Sequence, residues 1–139
     1  MPKGDYAAFR ALDPFFAVVM DGLSKFVDGE HYFDTLHDDV LFEFRYDLPG
    51  WPQVMRGRAN LVALYSGYGN NIRLDRGDAL IAHPSDNGRV VTLEYEVHGK
   101  ILATDTPFVS IATIENRKIV RWRDYMDSLA AWRALNGVT

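Results

Sequence analysis

The run Lys118-Ile119-Val120-Arg121-Trp122-Arg123-Asp124-Tyr125-Met126-Asp127 decides the reading of this chain. Its alternation is that of a strand, whose side chains point to opposite faces with a period of two. Val120, Trp122, Asp124 and Met126 share one face, and Ile119, Arg121, Arg123 and Tyr125 share the other. The first face is apolar except for one carboxylate. A carboxylate among apolar neighbours loses hydration, which raises its pKa and disfavours its charge. Such a group serves as a general acid or base near neutral pH. It equally serves as a structural hydrogen-bond acceptor or as the partner of an arginine, and spacing leaves both readings open.

Upstream of this strand the chain reads as a meander. Residues 72–83, 89–98 and 101–115 form strand patterns. The turns between them fall at Pro84-Ser85-Asp86-Asn87-Gly88, near Gly99-Lys100, and at Asn116-Arg117. Short connections make successive strands antiparallel. In the strand 89–98, Val91, Leu93, Tyr95 and Val97 form an apolar face. Val90, Thr92, Glu94, Glu96 and His98 form the mostly polar one. That polar face is either water-facing, the ordinary case, or the lining of a cavity.

The N-terminal part reads helical. Asp13-Pro14 resembles a helix start, and Phe15, Phe16, Val19, Leu23, Phe26 and Val27 recur at helical spacing up to Gly29. A short second helix is expected at 30–36, a turn at Asp38-Asp39 and a strand at 40–46. A Pro/Gly loop at 47–52 precedes a helix from Gly57 to about Tyr68, which Gly67, Gly69, Asn70 and Asn71 stop. Asp127 caps a last short helix with Leu129, Trp132 and Leu135 on one face. Helices first and a meander afterwards predict one α+β domain over 1–139. Its curved sheet, antiparallel or mixed, wraps the N-terminal helices around an internal pocket.

Composition narrows the function classes. The chain has 139 residues, 47% of them hydrophobic and 24% charged, enough for a core. It has no cysteine, which removes disulfides and thiolate chemistry. The net charge is −4 and the 15 basic residues are scattered, so no nucleic-acid footprint is visible. No apolar run approaches the roughly 20 residues that span a bilayer. The N-terminal stretch does not read as a signal peptide, so a cytoplasmic protein is the expectation. His31, His37 and His83 lack ligand partners at metal spacing, and phosphate-cradle and nucleophile-elbow motifs are absent. No metal or cofactor is expected.

The helix–meander order and the Trp122-Arg123-Asp124-Tyr125 run resemble the nuclear transport factor 2-like superfamily. The likeness is to its SnoaL-like branch, which holds polyketide cyclases, limonene-epoxide hydrolases and relatives of ketosteroid isomerase. It extends over nearly the whole chain and includes Asp38-Asp39-Val40 before the first strand and Gly57-Arg58 at a helix start. It implies a cystatin-like cone with a deep apolar pocket, and a homodimer through the outer sheet face. In some members an aspartate of the last strand works on water or a proton, and Asp124 is the matching residue. The epoxide hydrolase set is incomplete here. Glu94 and Glu96 stand near the place of its Arg-x-Asp pair, and Phe42 and Phe44 occupy its Tyr-x-Asn pair.

The expected catalytic group is Asp124, assisted by His98, Glu94 or Tyr46. The expected walls are Phe42, Phe44, Trp51, Tyr65, Glu96, Thr106, Phe108, Trp122 and Met126. Two functions fit these residues. One is a small-molecule enzyme moving protons (isomerisation, cyclisation or hydration) on an apolar ring-containing substrate. The other is a non-catalytic domain that binds a hydrophobic ligand. A bare dimerisation module is a third and thinner reading.

Overall fold

The apolar stripe after Asp13 forms helix α1, Asp13–Leu23, in a computed structural model that describes residues 6–47, 51–66, 74–99 and 104–135. Pro14 lies in its first turn, where a missing N–H costs nothing. No side chain caps this helix, because the 3-10 turn Ala7–Leu12 runs directly into it and the Asp13 N–H bonds to the Arg10 carbonyl. The stripe continues to Val27, but the helix itself stops at Leu23.

The expected second helix is a single 3-10 turn, Tyr32–Thr35, closed by a reciprocal cap. His31 Nδ1 accepts from the Phe33 N–H at 3.0 Å, and Asp34 Oδ2 accepts from the His31 N–H at 3.2 Å. Thr35 Oγ1 donates to the Tyr32 carbonyl at 2.6 Å. These bonds hold Tyr32 inward with no exposed surface.

Strand β1, Leu36–Phe44, begins earlier than its hydrophobic pattern. Asp38 and Asp39 lie within it and are not a turn. A register shift between Leu36 and Leu41 absorbs them, and Arg58 bonds Asp38 Oδ1 at 2.6 Å. Tyr46 falls just past the strand's end. A short strand that the pattern does not announce, β2 at Val54–Arg56, pairs with β1 ahead of helix α2, Arg58–Tyr65. Then come β3 (Leu74–Pro84), β4 (Val90–Gly99), β5 (Thr104–Glu115), β6 (Lys118–Met126) and helix α3 (Ser128–Leu135). The helix stop at Gly67, Gly69, Asn70 and Asn71, the start of strand 72–83, and the expected strand and turn residues 100–103 lie outside the described residues, as do loop residues 48–50.

The six strands form one open sheet in the order β2-β1-β6-β5-β4-β3. The meander β3–β6 is antiparallel as expected, but β1 lies parallel to β6, so the sheet is mixed. Helix α1 packs on β3 and β4. The core between helices and sheet is dense in aromatic rings, including Phe9, Phe15, Phe16, Tyr32, Phe33, Phe42 and Trp122. No helix among the described residues is long and apolar enough to cross a membrane.

Candidate functional site

Sheet register places three rows of side chains on the helix-facing side. The deepest row, Phe42, Trp122, Ala112 and Val91, has no exposed surface. The next row holds Phe44, Asp124, Ser110 and Leu93. The outer row holds Met126, Phe108 and Tyr95, with Tyr46 two residues beyond Phe44. Tyr46, Phe108 and Met126 are half-exposed, so this row is a rim, and Asp124 sits one step below it. Trp51 packs edge-on against Phe44 at 5.4 Å, and Tyr65 closes on Phe33 and Phe42. Thr106, opposite Val97, is buried on the same side.

Asp124 is 2% exposed, and no cation pairs with it among the described residues. Ser110 Oγ donates to its Oδ1 at 2.6 Å, and Trp122 Nε1 donates to the same oxygen at 2.5 Å. Because the Ser110 hydroxyl is committed to Asp124, Tyr95 donates to Ser110 Oγ, 2.7 Å away. The result is a buried relay from Tyr95 through Ser110 to Asp124. Oδ2 accepts no hydrogen bond from a described residue. Burial pushes the Asp124 carboxyl up to about 7, against the pull of its two donors.

Tyr32 supplies an unsatisfied atom nearby. Its ring packs edge-on against Trp122 at 5.1 Å, and its buried hydroxyl has no hydrogen-bond partner among the described residues. Burial pushes both the Tyr32 and the Tyr95 phenols well above their ordinary range, and the nearby Asp124 charge pushes them further. Both therefore stay protonated as donors. Buried polar atoms without partners are uncommon, and they mark places where water or a ligand completes the bonding. The Tyr32 phenol lies within electrostatic reach of the Asp124 carboxyl.

The sequence-derived candidates divide between the two faces of the sheet. The structure brings Asp124, Phe42, Phe44, Trp51, Tyr65, Thr106, Phe108, Trp122 and Met126 to the helix-facing side. Tyr46 reaches the rim, within electrostatic reach of Tyr95. Glu94, Glu96 and His98 do not join them. They are the even positions of β4, opposite the buried odd positions Leu93, Tyr95 and Val97, and so face away from Asp124. Glu94 pairs with His83 at 2.6 Å and His98 with Asp78 at 2.8 Å. Tyr32, Tyr95 and Ser110 escaped the sequence reading. Ser110 has the parity of Phe108 and was within reach of that signal. Tyr95 looked like one more apolar position, and nothing in sequence places Tyr32 beside β6.

An open depression lies elsewhere, between Lys25 and Phe26 and the hairpin turns at 84–89 and 114–117, and Asp124 takes no part in it.

With this arrangement of helices, mixed sheet and buried carboxylate, the chain resembles several solved proteins. A structure from Bacillus subtilis, named provisionally as an isomerase, superposes with a TM-score of 0.70 at 22% identity, covering 94% of this chain and 93% of that one. One from Pseudomonas putida, named provisionally as a polyketide cyclase, gives 0.66 at 16% identity over 94% and 98%. A nuclear transport factor 2-like protein from Burkholderia xenovorans gives 0.63 at 19% identity over 97% and 100%. The chain has the nuclear transport factor 2-like fold. In sequence, the uncharacterised YesE of Bacillus subtilis (strain 168) is 25% identical over 114 residues, 79% of this chain and 78% of its own. No family model matches the sequence. Structural likeness at these identities establishes the nuclear transport factor 2-like fold alone, and the reaction must be argued from the site.

Proposed function

We propose that this protein is a small-molecule enzyme that moves a proton on an apolar, ring-containing substrate bound against the helix-facing side of the sheet. The observation that carries this reading is Asp124: a buried carboxyl one row below the rim that titrates at about 7 and has no cation partner among the described residues. Near neutral pH the carboxyl is present in both forms, which suits taking up and returning a proton. Both internal donors end on Oδ1, so the mobile proton resides on Oδ2.

In the ionised form Oδ2 takes a proton from an activated carbon of the substrate. The electron pair left behind moves onto a conjugated oxygen, towards which the Tyr32 hydroxyl is the available donor. Return of the proton at a second carbon completes an isomerisation, and attack of the enolate carbon on a second carbonyl in the substrate gives a cyclisation. The provisional names of two similar structures, isomerase and polyketide cyclase, belong to this chemistry.

Asp124→Asn tests the proposal on a panel of hydrophobic ketones, epoxides and lactones. Turnover by the parent, with a pH–rate inflection near 7 that vanishes with the activity in the variant, is expected. Equal activity in both would remove Asp124 from the chemistry. Ser110, Trp122 and Tyr95 include no second group that ionises near neutrality, and this favours the competing reading, a binder without turnover. Saturable binding of a panel compound that is recovered unchanged would decide for it.

The same reading includes a homodimer through the opposite sheet face. Leu41, Ile111 and Tyr125 are half-buried there, and Arg123 Nε is buried without a partner.

A further inference from the structure

A cluster of ligating groups lies on the sheet face turned away from Asp124. β3 is the edge strand; its Asp78 stands directly across from Glu96 on β4, and its Arg76 across from His98. Glu96 and His98 are two positions apart on one strand, so their side chains leave the same face. The three side chains converge: one ligand atom from each of Asp78, Glu96 and His98 lies within 4.8 Å of the others. His98 Nε2 and Asp78 Oδ1 are already 2.8 Å apart. Two donors bound to one tetrahedral ion at about 2.1 Å each stand about 3.4 Å apart, so His98 and Asp78 have to open slightly and Glu96 has to close in.

The surroundings prepare the cluster. The His98 ring is 9% exposed, so packing restricts its orientation. Arg76 Nε donates to Asp78 Oδ2 at 3.1 Å, which leaves Oδ1 directed at His98. Two carboxylates, Asp78 and Glu96, stand beside the single guanidinium of Arg76, so a dication is attracted. No motif announces the cluster in the sequence, because Asp78 and His98 are 20 residues apart on paired strands. The expectation of no metal rested on linear spacing alone.

We propose that Asp78, Glu96 and His98 form a site for a divalent transition metal, with zinc the best match to one imidazole nitrogen and two carboxylate oxygens. The ion ties the edge strand β3 to β4, and water fills its remaining position. Since it sits on the other face from Asp124, it takes no part in the proton chemistry proposed above.

Calorimetric titration of the metal-free full chain with zinc tests this. One zinc per chain is expected, with a rise in melting temperature. Cobalt(II) in place of zinc is expected to show visible absorption of a low-coordinate ion. His98→Gln and Glu96→Gln are each expected to weaken zinc binding by roughly tenfold or more. His83→Gln, which breaks the neighbouring His83–Glu94 pair, should leave it unchanged. Should His98→Gln fail to fold, Asp78→Asn, at an exposed position, carries the same expectation. Absence of zinc binding to the parent, or binding that survives loss of these ligands, overturns the site and leaves a plain His–Asp–Arg hydrogen-bond network.

Discussion

Asp124 carries its proton to an unusually high pH because its neighbours are hydrocarbon and neutral donors. The consequence for stability has a definite sign. The carboxyl titrates at about 7 when folded and at 3.8 when solvated. Below pH about 4 both states hold the proton and the site costs nothing through charge. As pH rises from about 4 to 7, the unfolded chain ionises this group while the folded chain still holds the proton, and stability falls by an amount on the order of 4 kcal/mol before levelling off. Asp124→Asn keeps an oxygen for Ser110 and Trp122 and cannot ionise. It is therefore expected to be the more stable protein at pH 8 and to lose the decline between pH 4 and 7. Urea unfolding across that range measures this, and an unchanged pH profile would mean that burial does not set the group's behaviour. Tyr32→Phe is expected to raise the melting temperature, by about 1 kcal/mol of stability, because it removes a buried hydroxyl that has no partner among the described residues. The same change should weaken binding of any ketone that the panel identifies. A lowered melting temperature would show that the hydroxyl is satisfied.

Among the elements, α1 and β3 meet backbone to backbone at Gly77. A Cβ at Gly77 would fall 2.9 Å from the Pro14 carbonyl oxygen and 2.8 Å from Val18 Cγ1. The helix backbone cannot yield as a flexible side chain can, so Gly77→Ala should destabilise by about 1–3 kcal/mol. A lower denaturant midpoint with an unchanged slope is the expected result. A midpoint equal to the parent's would mean that α1 rides higher on the sheet. This contact also shapes the site, since α1 helps cover β4, the strand that holds Tyr95. The 3-10 turn acts in the same direction: its reciprocal cap aims Tyr32 at Trp122, although an isolated segment of four residues has little helical preference of its own.

Over the whole molecule, the two sheet faces have separate roles. One holds the relay of Tyr95, Ser110 and Asp124; the other holds the Asp78–His98 cluster and the Glu43–Arg121 pair, 2.6 Å apart. The homodimer proposed through this second face predicts a sedimentation mass twice that of the 15.8 kDa chain. A charge inserted among its half-buried apolar residues, as in Ile111→Glu, should shift that mass towards the monomer. A parent that sediments as a monomer would refute the dimer.

Local pattern by itself determined the meander, the amphipathic α1 and the isolation of Asp124 on an apolar strand face. Each rests on a periodicity of two or 3.6 that neighbouring residues impose. Tertiary structure alone decided that β1 runs parallel beside β6, that β2 exists, and that Asp38-Asp39 is strand. It alone placed Glu94, Glu96 and His98 behind the sheet and brought Tyr32 and Ser110 to the carboxylate. Alternation separates the two faces of a strand without saying which one the helices will cover. A hydrogen bond such as that from Ser110 to Asp124, 14 residues apart, exists only once two strands have chosen their register.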